Sequence, residues 1–316
     1  MNTHSPVPPI DVPPTDAARF EAFRPRLMGL AYRLLGSRSD AEDVLQDAWL
    51  RWHQADRDGI RDIEAWLVTA TTRLGIDRLR AARNERSHYP GPWLPEPLSI
   101  EDAAHPERQT QVSSEVSLAF MALLEKLGAE ERAAFLLKEV FDYDYAQVAD
   151  LLGHSEANCR QMVHRARTRL RAERPRFTVT PDRHRALLQR FMHAVQQGDR
   201  AAIVGLLDAN ARLVSDGGGK AAAAIRPLEG GERIARLYWA LARRLGHTIK
   251  VELRIGLVNG EPALLRFHDG HLHSISTITI DGDRITQVLS VVNPDKLHAQ
   301  DSAEGVTPQR PESSLS

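Results

Sequence analysis

Three observations predict a multidomain chain: two all-α domains, the second with a helix-turn-helix, followed by an α+β domain built on a curved antiparallel sheet with helices. From Phe20 to His88 apolar residues recur every three to four positions with few breakers, as in amphipathic helices. The same spacing returns from Val112 to Arg174, after a proline-rich break, and Gly153 interrupts it as the tight turn of a helix-turn-helix does. Beyond Pro181 the helical pattern gives way to alternating runs punctuated by Asn259-Gly260, Asp269-Gly270 and Asp281-Gly282, which are hairpin turn signals. The expected boundaries are a disordered lead-in over 1–17, a helical domain over 18–88, a linker over 89–111, a second helical domain over 112–174, an α+β domain over 181–298 and a disordered tail over 299–316.

Bulk composition bounds the function. A length of 316 residues suits two or three domains, and 42% hydrophobic residues suffice for their cores. A net charge of −1 excludes a general polycation, so any nucleic-acid binding must come from local basic patches. The single cysteine, Cys159, excludes an intramolecular disulfide and fits a reducing cytosol. No apolar run approaches membrane-spanning length, and the N-terminus lacks the basic start and apolar core of a signal peptide, so a cytoplasmic chain without a membrane partner is expected. No cofactor or metal is expected.

In the first domain, Gly36 ends an apolar segment that steps through Phe20, Phe23, Leu27, Leu30 and Leu34. Ser39 then offers an N-cap, with Glu42 at capping-box spacing. Ala41, Val44, Leu45, Ala48 and Trp52 form a buried stripe, and Asp40, Asp43, Gln46 and Asp47 mark the opposite, acidic face. After a polar turn, Ile63, Trp66, Leu67, Ala70, Leu74 and Leu79 define a longer helix whose other face carries Arg73, Arg78, Arg80 and Arg83. One helix is suited to a basic partner and the next to phosphate; a solvated acidic face and arginines kept for solubility are the plainer reading.

The linker holds Pro90, Pro92, Pro95, Pro97 and Pro106, which exclude a regular helix and favour extended backbone. Tyr89, Trp93 and Leu94 stand among them, and apolar side chains of this size imply docking on a folded surface. In the second helical domain, Tyr145, Val148, Ala149 and Leu152 belong to the first helix of the helix-turn-helix, and Ser155 caps the second. Cys159, Met162, Val163, Ala166 and Leu170 share its buried face. Glu156, Asn158, Arg160, Gln161, His164, Arg165 and Arg167 point elsewhere, where a recognition helix presents polar groups to base edges and arginines to phosphates.

The third domain is expected to open with helices near Arg183–Gln197 and Arg200–Asp208. A strand, ARLVSD, leads into Asp216-Gly217-Gly218-Gly219-Lys220, and a further helix spans Gly231–Leu245 before the meander. Three consecutive glycines permit positive φ or close backbone approach. Lys220 and Asp295 are candidates to pair near the linker. His268, His271 and His273, with Asp216 and Asp295, are the residues an acid–base enzyme would draw on. No paired spacing emerges among them, and histidines at strand ends are ordinary surface residues.

Several stretches resemble one family. LLGSRSDAEDVLQDAWLRW is similar to the polymerase-binding helix of extracytoplasmic-function sigma factors, and EAWLVTATTRLGIDRLRAARNER to the segment that melts and holds the minus-ten element. DYAQVADLLGHSEANCRQMVHRARTRLR resembles the domain that reads the minus-thirty-five element. YPGPWLPEPL, DGGGK and NPDKL resemble motifs of the subgroup with a fused SnoaL-like cone at the C-terminus. The resemblance implies that Asp40, Glu42, Asp43, Gln46 and Asp47 meet core RNA polymerase. It implies that the arginines of both helical domains, with Ser155, Glu156, Asn158, Gln161 and His164, meet promoter DNA. It further implies that the third domain regulates the factor from within; the docking expected of the linker then sets Tyr89, Trp93, Leu94, Pro95 and Glu96 against Asp216–Lys220 and Asn293, Pro294, Asp295, Lys296 and Leu297, and a small-molecule or protein ligand of that domain is a candidate further partner. Thr71 and Thr72 stand where many relatives carry an arginine–asparagine pair, so no base contact carries over to them. The other readings are a SnoaL-like isomerase or cyclase tethered to a DNA-binding module, and a repressor using only the helix-turn-helix, which would need neither the acidic helix nor the melting segment.

Overall fold

The structure is a computed structural model that describes residues 16–56, 59–102, 116–172, 180–245 and 249–297. The first helical unit comprises α1 (Asp16–Leu35), α2 (Arg38–Gln54) and α3 (Ile63–Arg86). After β1 (Ile100–Asp102), the second comprises α4 (Leu118–Leu124), α5 (Ala129–Glu139), α6 (Tyr145–Leu152) and α7 (Glu156–Ala172). The third region runs α8 (Pro181–Gln197), α9 (Arg200–Leu206), β2 (Leu207–Asp216), β3 (Leu228–Glu229), α10 (Gly231–Leu245), β4 (Val251–Val258), β5 (Glu261–His268), β6 (His271–Asp281), β7 (Arg284–Val291) and α11 (Pro294–Leu297).

Local chemistry sets the helix ends. Asp62, Asp144, Thr180 and Asp199 each accept a backbone N–H of the first turn of the helix they precede, which satisfies donors that the helix leaves unpaired. Two sequence expectations are corrected here. α1 begins at Asp16, so residues 16 and 17 belong to it rather than to the lead-in. The N-cap of α2 is Ser37, whose hydroxyl accepts the Asp40 amide at 3.3 Å, and Ser39 lies inside the helix. The rest of the lead-in, the tail from residue 298 and Pro106 lie outside the described residues.

The sheet has the order β1-β4-β5-β6-β7-β2-β3. Strands β4 to β7 form the antiparallel meander, and its turns fall at Asn259-Gly260, Asp269-Gly270 and Gly282, with Asn259, Asp269 and these glycines at positive φ. β2 joins β7 in parallel, so the whole sheet is mixed. β1 comes from the proline-rich linker, for which docking but no strand is expected; it pairs antiparallel with β4 and covers that edge.

Three apolar clusters hold the described chain together. The first runs from Phe20 in α1 to Leu170 in α7, so both helical units share one core, where the sequence suggested separate domains joined by a spacer. The second lies between the sheet and α8–α10. The third joins Leu94 of the linker and Leu118 of α4 to Val258, Leu265, Phe267 and Ile275 on the opposite face of the sheet.

Candidate functional site

The buried stripe of α2 packs as its spacing predicts, leaving Glu42, Asp43, Gln46 and Asp47 exposed beside Leu50, which is 47% exposed. Asp40 is turned inward, where it binds the Arg78 guanidinium at 2.8 Å, and Glu42 holds Arg38 at 2.9 Å. The open acidic face therefore centres on Asp43, Gln46 and Asp47.

The arginines of α3 divide. Arg73 is exposed. Arg78 bridges Asp40 and Glu85, Arg80 binds Glu130 of α5 at 2.5 Å, and Arg83 donates to the Leu127 carbonyl. Arg86, not singled out by the sequence, binds Glu125 at 2.6 Å and donates to the Leu35 carbonyl at 2.9 Å. Fully buried Arg132 of α5 also pairs with Glu125 and donates to the Arg33 carbonyl at 2.8 Å. Three arginines of the helix expected to meet DNA thus face the second helical unit instead. Thr71 and Thr72 are fully buried.

In the helix-turn-helix, Gly153 takes φ 69° between α6 and α7, and Ser155 Oγ accepts the Asn158 amide at 3.2 Å. Ser155, Glu156, Arg160, Gln161, His164 and Arg165 are exposed, and Asn158 and Arg167 are half-buried. Glu156 holds Arg160 at 2.6 Å, Glu139 holds Arg167 at 2.5 Å, and Glu131 lies 3.7 Å from Arg165. Cys159 is buried, which pushes its thiol up and leaves little thiolate.

The linker is held by a clasp at the end of β2. Asp216 is fully buried. Its Oδ1 accepts Tyr89 Oη at 2.5 Å and the Gly218 amide at 3.1 Å; its Oδ2 accepts the Leu94 amide at 2.8 Å and Lys296 Nζ at 2.6 Å. Lys296 also donates to the Leu94 carbonyl, and Asn293 Nδ2 donates to Tyr89 Oη at 2.9 Å. The Trp93 ring lies between the charges of Arg86 and Lys296, 3.4 and 4.0 Å from its centroid. Burial pushes the Lys296 ammonium down to about 8 against the pull of Asp216, and burial together with Asp216 raises the Tyr89 hydroxyl. Gly218 and Gly219 take φ 59° and 70°, and a Cβ there would overlap Asn293 and Pro90 respectively, so glycine alone lets this loop approach the linker. At Gly217 a Cβ would press on the Ala221 carbonyl. Lys220 and Asp295 pair at 2.6 Å on the exposed rim. Pro294 opens α11, and Leu297 is buried in the third cluster.

A second attachment ties the linker to α2. Glu96 donates its amide to the Gly36 carbonyl at 2.8 Å, and its carboxylate accepts the Arg38 amide at 2.9 Å and Ser37 Oγ at 3.2 Å, so an acid from the linker caps α2. Pro95 is buried beside it. Tyr32 Oη donates to the Glu96 carbonyl at 2.7 Å. Asn259, read only as a turn residue, donates to Tyr32 Oη at 3.0 Å and to the Val116 carbonyl at 3.1 Å, and accepts the Leu98 amide at 2.7 Å. It joins all three regions, yet an Asn-Gly turn explains the asparagine locally, so nothing in the sequence marks this second role.

The histidines do not form an acid–base pair with Asp216 or Asp295. His268 and His273 stack at 3.8 Å between centroids, and burial, with their mutual and Arg266 charges, holds His273 down at about 4. His271 is exposed at a strand start.

Comparison with known proteins agrees with this division. The sigma-70 region 2 model matches residues 19–85 and the sigma-70 region 4 model matches residues 117–170. The chain is 37% identical over 290 residues to the ECF RNA polymerase sigma factor SigJ of Mycobacterium tuberculosis, covering 89% of this chain and 93% of that one. It is 31% identical over 299 residues to the probable ECF sigma factor SigI of the same organism, covering 94% and 97%. The crystal structure of Mycobacterium tuberculosis SigJ superposes with a TM-score of 0.71 at 32% identity, over 90% of this chain and 99% of that one. Likeness of this extent, spanning both sigma regions and the α+β extension, places the chain among the extracytoplasmic-function sigma factors, the initiation factors that bring core RNA polymerase to promoter DNA.

Proposed function

We propose that the described arrangement is a held state of the sigma factor, in which the third domain restrains the two sigma domains from within the same chain. The observation that carries this reading is the shared core of α1–α7, with Arg80, Arg83 and Arg86 of α3 engaged on the second helical unit. Promoter elements near positions ten and thirty-five lie about 25 base pairs apart, or about 85 Å of duplex at about 3.4 Å per base pair. Domains of this size are about 30 Å across, so two that share a core cannot read both elements at once. Transcription requires them to part. The clasp at Asp216 and the Glu96 cap oppose parting, because each fixes the linker to a different body.

Within this reading, Asp43, Gln46 and Asp47, flanked by Asp40 and Glu42, meet the polymerase. Arg73 is available to DNA at once, Arg80 and Arg83 follow on opening, and Arg78 reaches DNA from its pairs with Asp40 and Glu85 within the same unit. Ser155, Glu156, Asn158, Arg160, Gln161 and His164 face base edges, and Arg165 and Arg167 face phosphates. The chain acts in transcription and not as an enzyme. Among the described residues no helix is long and apolar enough to cross a membrane. In-vitro transcription with core polymerase tests the restraint, comparing the full chain with one ending at Arg174. Dyes on α2 and α7 should also report a longer separation in the shorter chain. Equal activity and equal separation would refute it.

A further inference from the structure

The third domain carries a half-open cavity of about 360 Å³ between the C-terminal ends of α8 and α10 and the start of β4. Val195, Leu241, Val251 and Leu253 give it an apolar wall, half-buried Arg266 from the middle of β5 faces into it, and exposed Lys250 also lines it. On the outside of the same domain Arg183, Arg200 and Arg254 each hold a carboxylate. Arg266, which has lost most of its water, makes no hydrogen bond or ion pair with any described residue. Its electrostatic neighbours are the buried Tyr238 hydroxyl and the stacked His268 and His273, both held below the usual histidine range by burial and by this guanidinium. His268 Nε2 is itself buried without a partner. Even partial burial of a guanidinium without a counter-charge is unfavourable. The apolar wall, the positive charges of Arg266 and Lys250 and a volume typical of small-molecule sites describe a ligand by complement.

We propose that this cavity binds a small organic anion, an apolar body bearing one carboxylate, with Arg266 as its anchor. Arginine suits a carboxylate because its planar fork donates two parallel hydrogen bonds. The position also matters. Leu264 and Arg266 of β5 face the cavity side, while Leu265 and Phe267 face the cluster that holds Leu94 and Leu118. A bound anion therefore lies one strand's thickness from the residues that hold the linker. The binding site does not rest on the restraint proposed above, and binding is measured directly.

The test is calorimetric titration of the full chain near pH 7.5 with 4-phenylbutyrate and with decanoate, each against its matched alcohol. At least one acid should bind saturably at one per chain, about tenfold or more tighter than its alcohol, as expected for a charge-assisted hydrogen-bonded pair. Arg266→Met should erase that preference and leave the free chain equally or more stable to heat, since it removes an unpaired charge. Leu241→Trp, which fills the cavity and keeps Arg266, should weaken both acid and alcohol. The proposal is overturned if neither acid binds below about 1 mM, a very weak limit, or if acid and alcohol bind alike. It is equally overturned if Arg266→Met retains the preference, or if it destabilises the chain while Leu241→Trp leaves acid binding intact.

Discussion

The clasp makes an asymmetric prediction about its two charged members. All four partners of Asp216 are donors: Tyr89 Oη and the Gly218 amide on one oxygen, the Leu94 amide and Lys296 Nζ on the other. In Asp216→Asn the new amide group faces a donor whichever way it flips, and Lys296 loses its counter-charge, keeping the Leu94 carbonyl and two aromatic faces. Breaking a buried pair in this way costs about 3–5 kcal/mol, so the linker should open about two to three and a half orders of magnitude more often, at about 1.4 kcal/mol per decade. Lys296→Met leaves Asp216 three neutral donors and relieves the desolvation of Lys296, so the expected loss is about 1–2 kcal/mol, or about tenfold in opening. The double variant should resemble Lys296→Met rather than the sum. Hydrogen exchange at the Leu94 amide reads this directly, because that N–H is bonded to Asp216. Equal losses from the two single variants, or the reverse order, would refute the reasoning.

Three further outcomes are expected. Asp43→Lys with Asp47→Lys should reduce core-polymerase capture by the folded chain, since each exposed pair contributes only about 1 kcal/mol and reversal adds repulsion; unchanged capture would remove α2 as the contact. Arg160→Ala should cost about 1–3 kcal/mol at one promoter position, whereas Arg167→Ala should weaken all sequences alike and lower the salt slope by about one unit; footprinting over a mutated promoter set separates them. Docking of the linker should vary with pH: Lys296, lowered to about 8 by burial, holds fewer protons docked than free between that value and its ordinary value of about 10.4, so docking strengthens as pH rises through the window. Tyr89 and Tyr32 are raised chiefly by burial, so the docked state keeps protons the open one loses, and stability falls above about pH 10. Leu94 exchange, corrected for intrinsic rate, should therefore be slowest near pH 9–10, and monotonic loosening from pH 7 upward would contradict the assignment to Lys296.

Sequence by itself determined what depends on near neighbours. Apolar spacing settled the buried stripes of α2 and α7, Asn-Gly and Asp-Gly placed the hairpins, and proline with Trp93 and Leu94 marked a linker that is not left in water. These features follow from a few residues' conformational and burial preferences, so they survive without knowledge of the rest of the chain. The tertiary structure decided every feature whose cause lies far along the chain. Ser37 rather than Ser39 caps α2 because Glu96 arrives to accept the next amide. Arg80 and Arg83 look like phosphate ligands on their own helix, and are taken by Glu130 and the Leu127 carbonyl because two helical units share a core. Asn259 satisfies a turn locally and three regions globally, and Arg266 sits in an alternating strand that gives no sign of its missing counter-charge. Periodicity reports which face of an element is apolar; it is silent on which partner meets the polar face, because that is fixed by long-range packing and electrostatics.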